Sequence, residues 1–249
     1  KLRLENDRTD EIGALTDSFN CMLDRINTLV NQVYQQELAQ KNAEIEALQA
    51  QINPHFLYNT LDSVNWMLIA RGEMDISAVV VALGKLMQYS MDTARAMVSL
   101  EEEYRNVRDY LMIQKNRLED RLEFTLELDE TLKCFPVPKL ILQPLVENAI
   151  KYGIEPSLQP GHILVRTRKT DDDIQILVKD NGCGMDEAQL TFYRRLLRND
   201  LSGQTNIGVR NVARRLQLHF GGRCGFNVSS RPGDGLSITI RIPAQEEQS

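Results

Sequence analysis

The sequence has no apolar run long enough to cross a bilayer and no secretory signal. It has no basic arm either. Its net charge is −6 over 249 residues, which argues against a nucleic acid partner. The four cysteines, Cys21, Cys134, Cys183 and Cys224, are too scattered for a C-x-x-C pair or a disulfide framework. Reduced thiols in a cytosolic compartment are expected, not a metal or redox role. Low-complexity segments and repeat arrays are also missing. What is present, 42% hydrophobic and 26% charged residues, is the balance of a soluble globular protein of one large or two ordinary domains. A charged helical pattern begins at Lys1, so the chain is expected to be part of something longer.

The first part reads as helix. Leu15, Phe19, Met22, Ile26, Leu29 and Val33 form a heptad seam. Gln36 and Gln40 interrupt it, and the stripe resumes in another phase at Leu38, Ile45, Leu48 and Ile52. Such a break changes coiled-coil winding locally. It fits a plain dimerisation stalk and equally one that transmits a twist. The helix is expected to run on through Pro54, with Leu57, Leu61, Val64 and Leu68 as its core stripe to Arg71-Gly72. A second helix carries Ile76, Val79, Val80, Leu83, Leu86 and Met87 on one face. The capping box Ser99-Leu100-Glu101-Glu102 starts a third segment, reaching about Leu118. These helices cannot bury their apolar faces alone, and dimerisation would complete a four-helix bundle.

The period changes after Asp120, where a domain boundary is expected. Leu122, Phe124, Leu126 and Leu128 alternate as in a strand. A helix is predicted from about Lys139 to Tyr152, then adjacent strands at 163–165 and 174–178. Helices follow at 187–198 and 207–220. A terminal hairpin turns at Pro232-Gly233-Asp234-Gly235. This is an α+β domain with helices on one face of a largely antiparallel sheet.

Four constellations carry chemistry. In the first, Asn53-Pro54-His55-Phe56-Leu57-Tyr58-Asn59, proline inside a helix costs about 3 kcal/mol. A purely structural helix has little reason to accept it beside a histidine. Helical spacing puts His55, Asn59, Asp62 and Trp66 on one stripe at the rim of the core stripe. A neutral imidazole there offers a lone pair for nucleophilic attack, although a surface helix histidine is the competing reading. In the second, Gln143-Pro144-Leu145-Val146-Glu147-Asn148-Ala149-Ile150-Lys151, the Asn148 amide oxygen is a hard ligand suited to magnesium. Lys151, one turn on, is within reach of a phosphate. In the third, Asp180-Asn181-Gly182-Cys183-Gly184-Met185 follows a strand. Its glycines allow close approach of a ligand to the backbone, and the Asp180 carboxylate can accept a hydrogen bond from an exocyclic amine such as that of adenine. In the fourth, Ile207-Gly208-Val209-Arg210-Asn211 opens a helix, whose N–H groups and dipole suit phosphate. Each is weak alone, and their order within one domain is far more specific.

With these motifs in place, the chain resembles the LytS/YesM-type sensor histidine kinases along nearly its whole length. The resemblance rests on Pro54 to Asn59, on an N box from Leu142 to Ile150, on a G1 box from Asp180 to Met185 and on a G2 box from Ile207 to Val212. It implies a multidomain fold: an all-α coiled coil and dimeric four-helix bundle, then an α+β sandwich ATP-binding domain of the Bergerat type. The implied division is the end of a HAMP domain at 1–30, a coiled-coil linker at 31–50, phosphotransfer helices at 51–120 and the ATP-binding domain at 121–249. The implied activity is ATP-dependent autophosphorylation of His55, followed by transfer to an aspartate of a response regulator receiver domain. The implied cofactors are ATP and Mg2+. A homodimer is expected, membrane-anchored in the full-length protein and lying at the cytoplasmic face.

Carried onto this sequence, His55 is the nucleophile and Asn59 orients the imidazole or a water. Asn148 ligates the metal. Asp180 reads the adenine amine, and Gly182 and Gly184 close on the base. Gly208 opens the helix facing the phosphates, with Lys151 and Arg210 as phosphate contacts. The residues between Asp186 and Asn206 would form an ATP lid. Tyr152, Leu236 and Phe56 stand where relatives often carry histidine, threonine and an acidic residue. An ATPase or protein-serine kinase of the same superfamily, and a non-catalytic dimeric adaptor, are the competing functions.

Overall fold

The computed structural model describes residues 54–92, 95–170, 172–197 and 207–244, with helical positions 15, 18–23, 25–26, 28–30, 32–33, 35–37 and 40–41 before them. The chain divides into two units, Lys1–Phe56 and Leu57–Ser249. In the first, the heptad positions Leu15, Phe19, Met22, Ile26, Leu29 and Val33 are helical and exposed. The resumed stripe at Leu38, Ile45, Leu48 and Ile52, and the backbone partner of Pro54 at Ala50, lie outside the described residues.

Helix α1 (Pro54–Ala70) turns back at Arg71-Gly72-Glu73 into α2 (Met74–Met91). Gly72 takes φ 77, which a side chain would disfavour. Gly84 of α2 lies beside Leu61, and Ser77 Oγ donates to Asn65 Oδ1 at 2.6 Å across the hairpin. Ala82 and Leu86 are buried, whereas Ile76, Leu83 and Val64 of the expected core stripes remain exposed in the single chain.

A short strand β1 (Met97–Ser99) leads into α3 (Leu100–Leu118). The capping box forms as expected: Ser99 Oγ accepts from Glu102 N, and the Glu102 carboxylate accepts from Ser99 N. Next come β2 (Leu122–Leu128), β3 (Pro136–Pro138), α4 (Gln143–Asn148) and a π-helical turn over Ala149–Ile154. Strands β4 (Gly161–Lys169) and β5 (Asp173–Asp180), helices α5 (Glu187–Leu197) and α6 (Ile207–Phe220), and the hairpin β6 (Gly225–Ser230)–β7 (Leu236–Pro243) complete the chain.

The main sheet has the order β2-β4-β5-β7-β6. It is antiparallel except for the parallel pair β2–β4. Burial alternates along β4 and β5. Their inward Ile163, Val165, Ile174, Ile176 and Val178 face one layer of helices, while Arg166 on the other face pairs with Glu127.

Helix α3 shares its core with the sheet. Leu100, Tyr104, Val107 and Leu111 of α3 are buried in the same core as the sheet, and the Tyr104 hydroxyl lies 2.7 Å from Thr167 Oγ1 of β4. An amphipathic helix reads alike whether it covers a helix or a sheet, and α3 packs on both α2 and β2. The helix expected from Lys139 starts at Gln143, because Leu140 takes φ 59 and breaks the helical path. The pairing of β1 with β3 (Val98↔Val137) was not anticipated, since three-residue strands carry no periodic signal.

Candidate active site

The N-box helix opens with proline in its first turn, where a missing N–H costs nothing. It then widens into the π turn, a local geometry frequent at functional sites. Asn148 is the last residue before that change. Its Nδ2 donates to the Tyr193 hydroxyl of α5 at 2.9 Å. This bond fixes the amide so that Oδ1, the harder atom, is the one turned to other use. Tyr193 is fully buried, and burial pushes its phenol well above the usual tyrosine range. Among the described residues no group of three or more His, Cys, Asp or Glu is placed to hold a metal.

Asp180 ends β5 and is 2% exposed. Its Oδ1 accepts the N–H of Gly182 at 2.9 Å and of Leu236 at 3.2 Å. Burial raises the carboxyl above its ordinary range, and the two backbone bonds oppose that shift. The bond from position 236 comes from the backbone, so leucine in place of threonine preserves it. A Cβ on Gly153 would sit 2.7 Å from Asp180 Oδ1, so the π turn meets the carboxylate through glycine.

Gly182 and Gly184 are also packed closely against protein backbone. A Cβ on Gly182 would overlap the carbonyl of Gly153, and one on Gly184, at φ 67, would overlap the carbonyl of Arg231. Both glycines are required by protein backbone packed against them. Cys183 N donates to Gly153 O at 3.0 Å and Gly233 N to Cys183 O at 2.8 Å, so the loop is clamped between the π turn and the β6–β7 hairpin.

A cavity of about 520 Å³ lies between the π turn, this loop and α5, lined by Asn148, Tyr152, Cys183, Met185, Phe192 and Tyr193. Asn148 is the one expected site residue besides Gly184 on its wall. Lys151 is exposed, with its ammonium 5.2 Å from the Tyr152 ring centre. Gly208 lies in the first turn of α6, where a Cβ would stand 3.4 Å from Pro144 Cβ of the N box, and Arg210 follows, partly buried. Of the lid arginines, Arg194 donates to the Val228 carbonyl, Arg195 is exposed, and Arg198 lies outside the described residues, as do Thr205 and Asn206. His162 lies 2.9 Å from Thr125 and His219 closes α6, both structural positions.

On α1, His55 and Asn59 are both exposed and one helical turn apart. Phe56 beside them is 65% exposed. The half-buried side of the helix is formed by Leu57, Tyr58, Leu61, Asn65 and Leu68.

Residues 43–122 match the family model described as histidine kinase, and residues 137–246 the one described as histidine kinase-, DNA gyrase B-, and HSP90-like ATPase. The chain is 41% identical over 246 residues to the sensor histidine kinase YesM of Bacillus subtilis, covering 99% of this chain and 41% of that protein. The chain belongs to the sensor histidine kinase family. A second member, the sensor protein kinase HptS of Staphylococcus aureus, is 27% identical over 215 residues, 86% of this chain and 41% of its own. The chain thus spans about two fifths of the curated histidine kinases it matches. A solved histidine kinase domain, from the Erythrobacter litoralis EL346 blue-light activated histidine kinase, covers 76% of this chain and 93% of its own, with 18% identity and a TM-score of 0.46.

Two features of these elements escaped sequence reasoning. Tyr193 carries no local signal of its role, because its partner Asn148 lies 45 residues away in sequence. Glu103 sat in the run Glu101-Glu102-Glu103, which reads as a solvated first turn.

Proposed function

We propose that this chain is the phosphotransfer and ATP-binding part of a two-component sensor kinase, in which His55 is autophosphorylated and then passes the phosphoryl group to an aspartate of a response regulator. The observation that carries the reading is the pair Asp180 and Asn148. One is a buried carboxylate with both backbone bonds on a single oxygen, and the other an amide oriented by Tyr193 beside a cavity of nucleotide size. When bound, ATP with Mg2+ supplies the phosphoryl group and the charge neutralisation on which such transfer depends.

The chain's own residues do the rest. Asp180 offers Oδ2, which takes no hydrogen bond from the described residues, to the adenine amine. Asn148 presents Oδ1 to the metal. Lys151, Arg210 and the N-terminus of α6 at Gly208 face the phosphates, and the G1 loop at Gly182 and Gly184 closes one wall. His55 attacks through a ring nitrogen, forming the N–P bond as the bond to the leaving phosphate breaks. Asn59 orients the imidazole. The exposed apolar residues of α1 and α2, such as Val64, Trp66, Met67 and Leu83, support a homodimer through a four-helix bundle. The tail of a HAMP domain at 1–30, a coiled-coil linker at 31–50 and membrane anchoring of the whole protein, with this part at the cytoplasmic face, complete the reading. No described helix is long and apolar enough to cross a membrane.

The test is incubation with radiolabelled ATP and magnesium, then treatment with acid or alkali. Label that survives alkali, is lost in acid and is absent from His55→Gln is the expected result. Acid-stable label, or label retained by the variant, would sink the assignment.

A further inference from the structure

The helical hairpin and the nucleotide-binding elements meet at one buried carboxylate. Glu103, on α3, has no solvent exposure. Its Oε1 accepts the N–H of Leu140 at 2.6 Å and the hydroxyl of Tyr89, which comes from α2. Its Oε2 accepts the N–H groups of Ile141 and Leu142, each at 2.9 Å. Those three amides belong to the segment that enters the N-box helix. Leu140 is held there in the left-handed region, so the path of the chain into α4 depends on the carboxylate that captures its N–H. Around this point Lys139 contacts the Asp92 carbonyl at the end of the hairpin and lies 4.6 Å over the Tyr89 ring. Arg215, on α6 of the G2 box, donates to the Lys139 carbonyl at 2.6 Å. The end of α2, the first turn of α3, the entry to the N box and the G2 helix are thereby bound through a single junction.

We propose that Tyr89 and Glu103 are positioning residues for phosphoryl transfer, forming a joint through which the pose of α2 sets the pose of the N box and of Asn148. The joint has a fixed arm and a detachable arm. Three backbone amides form the first, all from one short segment. The second is the Tyr89 hydroxyl, the only bond from Glu103 to the hairpin among the described residues. A buried carboxylate is costly when a donor is withdrawn, so the hairpin pose that keeps Tyr89 engaged is favoured. Movement of α2 is therefore felt at the N box as the loss of one charge-assisted bond. The geometry stands alone, while its effect on phosphorylation rests on the kinase reading above.

Tyr89→Phe in the intact dimer separates the two. Backbone hydrogen exchange is measured with and without a non-hydrolysable ATP analogue and magnesium, alongside analogue affinity and the initial rate of His55 labelling. In the wild type the analogue should slow exchange both in the π turn 149–154 and in the last turn of α2. In Tyr89→Phe the first protection should persist and the second should vanish, with affinity unchanged and the labelling rate about tenfold lower, as for one lost bond to a charged group. A merely structural tyrosine would lower the melting temperature without breaking that transmission. Glu103→Gln should speed exchange at residues 140–142, and if that variant fails to fold, Tyr89→Phe still decides. Transmission intact in Tyr89→Phe, or absent from the wild type, overturns the joint. If the wild type takes no label on His55, the kinase reading fails, and the exchange result judges the joint by itself.

Discussion

At the residue scale, the proposed nucleophile and the proposed adenine contact are separate groups, and substitution should separate their effects. His55 is exposed on α1, while Asp180 is buried at a strand end. His55→Gln is expected to abolish labelling and leave ATP affinity as it was, which calorimetry on the same preparation checks. Asp180→Asn should do the reverse. Losing the charge on an acceptor of one hydrogen bond weakens ATP binding by roughly tenfold to a hundredfold. The same variant should stabilise the fold at neutral pH. Burial holds the Asp180 carboxyl above its ordinary value of 3.8, so the folded state favours the acid form. That contribution is present at low pH and is lost as pH rises through the raised folded value. The melting temperature of Asp180→Asn relative to wild type should therefore climb as pH rises above about 4, until the carboxyl is ionised in the folded state. A flat difference would mean that the carboxylate is better solvated than its 2% exposure implies. Tyr193→Phe addresses the metal. Without the hydroxyl that accepts from Nδ2, the Asn148 amide is released to rotate. Binding of ATP should weaken roughly fivefold with magnesium present and stay unchanged without it.

At the scale of elements, the G1 loop is a clamp, and its glycines are packed against protein backbone. Gly184→Ala combines a left-handed backbone with an overlap against Arg231, and should cost about 2–4 kcal/mol in chemical denaturation. Legibility also divides here. Helix α6 was readable over Ile207–Phe220, because its apolar positions recur at helical spacing. The start of α4 was not. Its boundary is set by Glu103, 40 residues away from Gln143 in sequence, capturing the amides of Leu140, Ile141 and Leu142. The motif residues Asn148, Asp180 and Gly184 were visible as types in an order. The bond from Asn148 to Tyr193 and the interlock of Gly182 with Gly153 were not, since both arise from contacts between elements that no local pattern encodes.

For the whole molecule, the position of α3 decides which fragments fold. A fragment beginning after Asp120 loses Leu100, Val107 and Leu111 from the core. Each fully buried side chain contributes about 2 kcal/mol or more, against a net stability of about 5–15 kcal/mol for a domain. That fragment is expected to aggregate or stay unfolded. One beginning at Arg95 keeps β1, its pairing with β3, and all of α3. Sedimentation should find it a folded monomer, because the exposed apolar faces of α1 and α2 have been removed. A dimer there would move the self-association surface to the sheet domain.

The clip between β1 and β3 also sets a length. Helix α2 ends at Met91 and β1 begins at Met97, where Val98 is tied to Val137. Only residues 92–96 remain as tether between the hairpin and the nucleotide-binding body. Fully stretched, the six steps from Met91 to Met97 reach about 20 Å. Were α3 to let go of α2, the body would swing on that leash and no further. That length bounds how far Met97, and with it the start of β1, can stand from the end of α2.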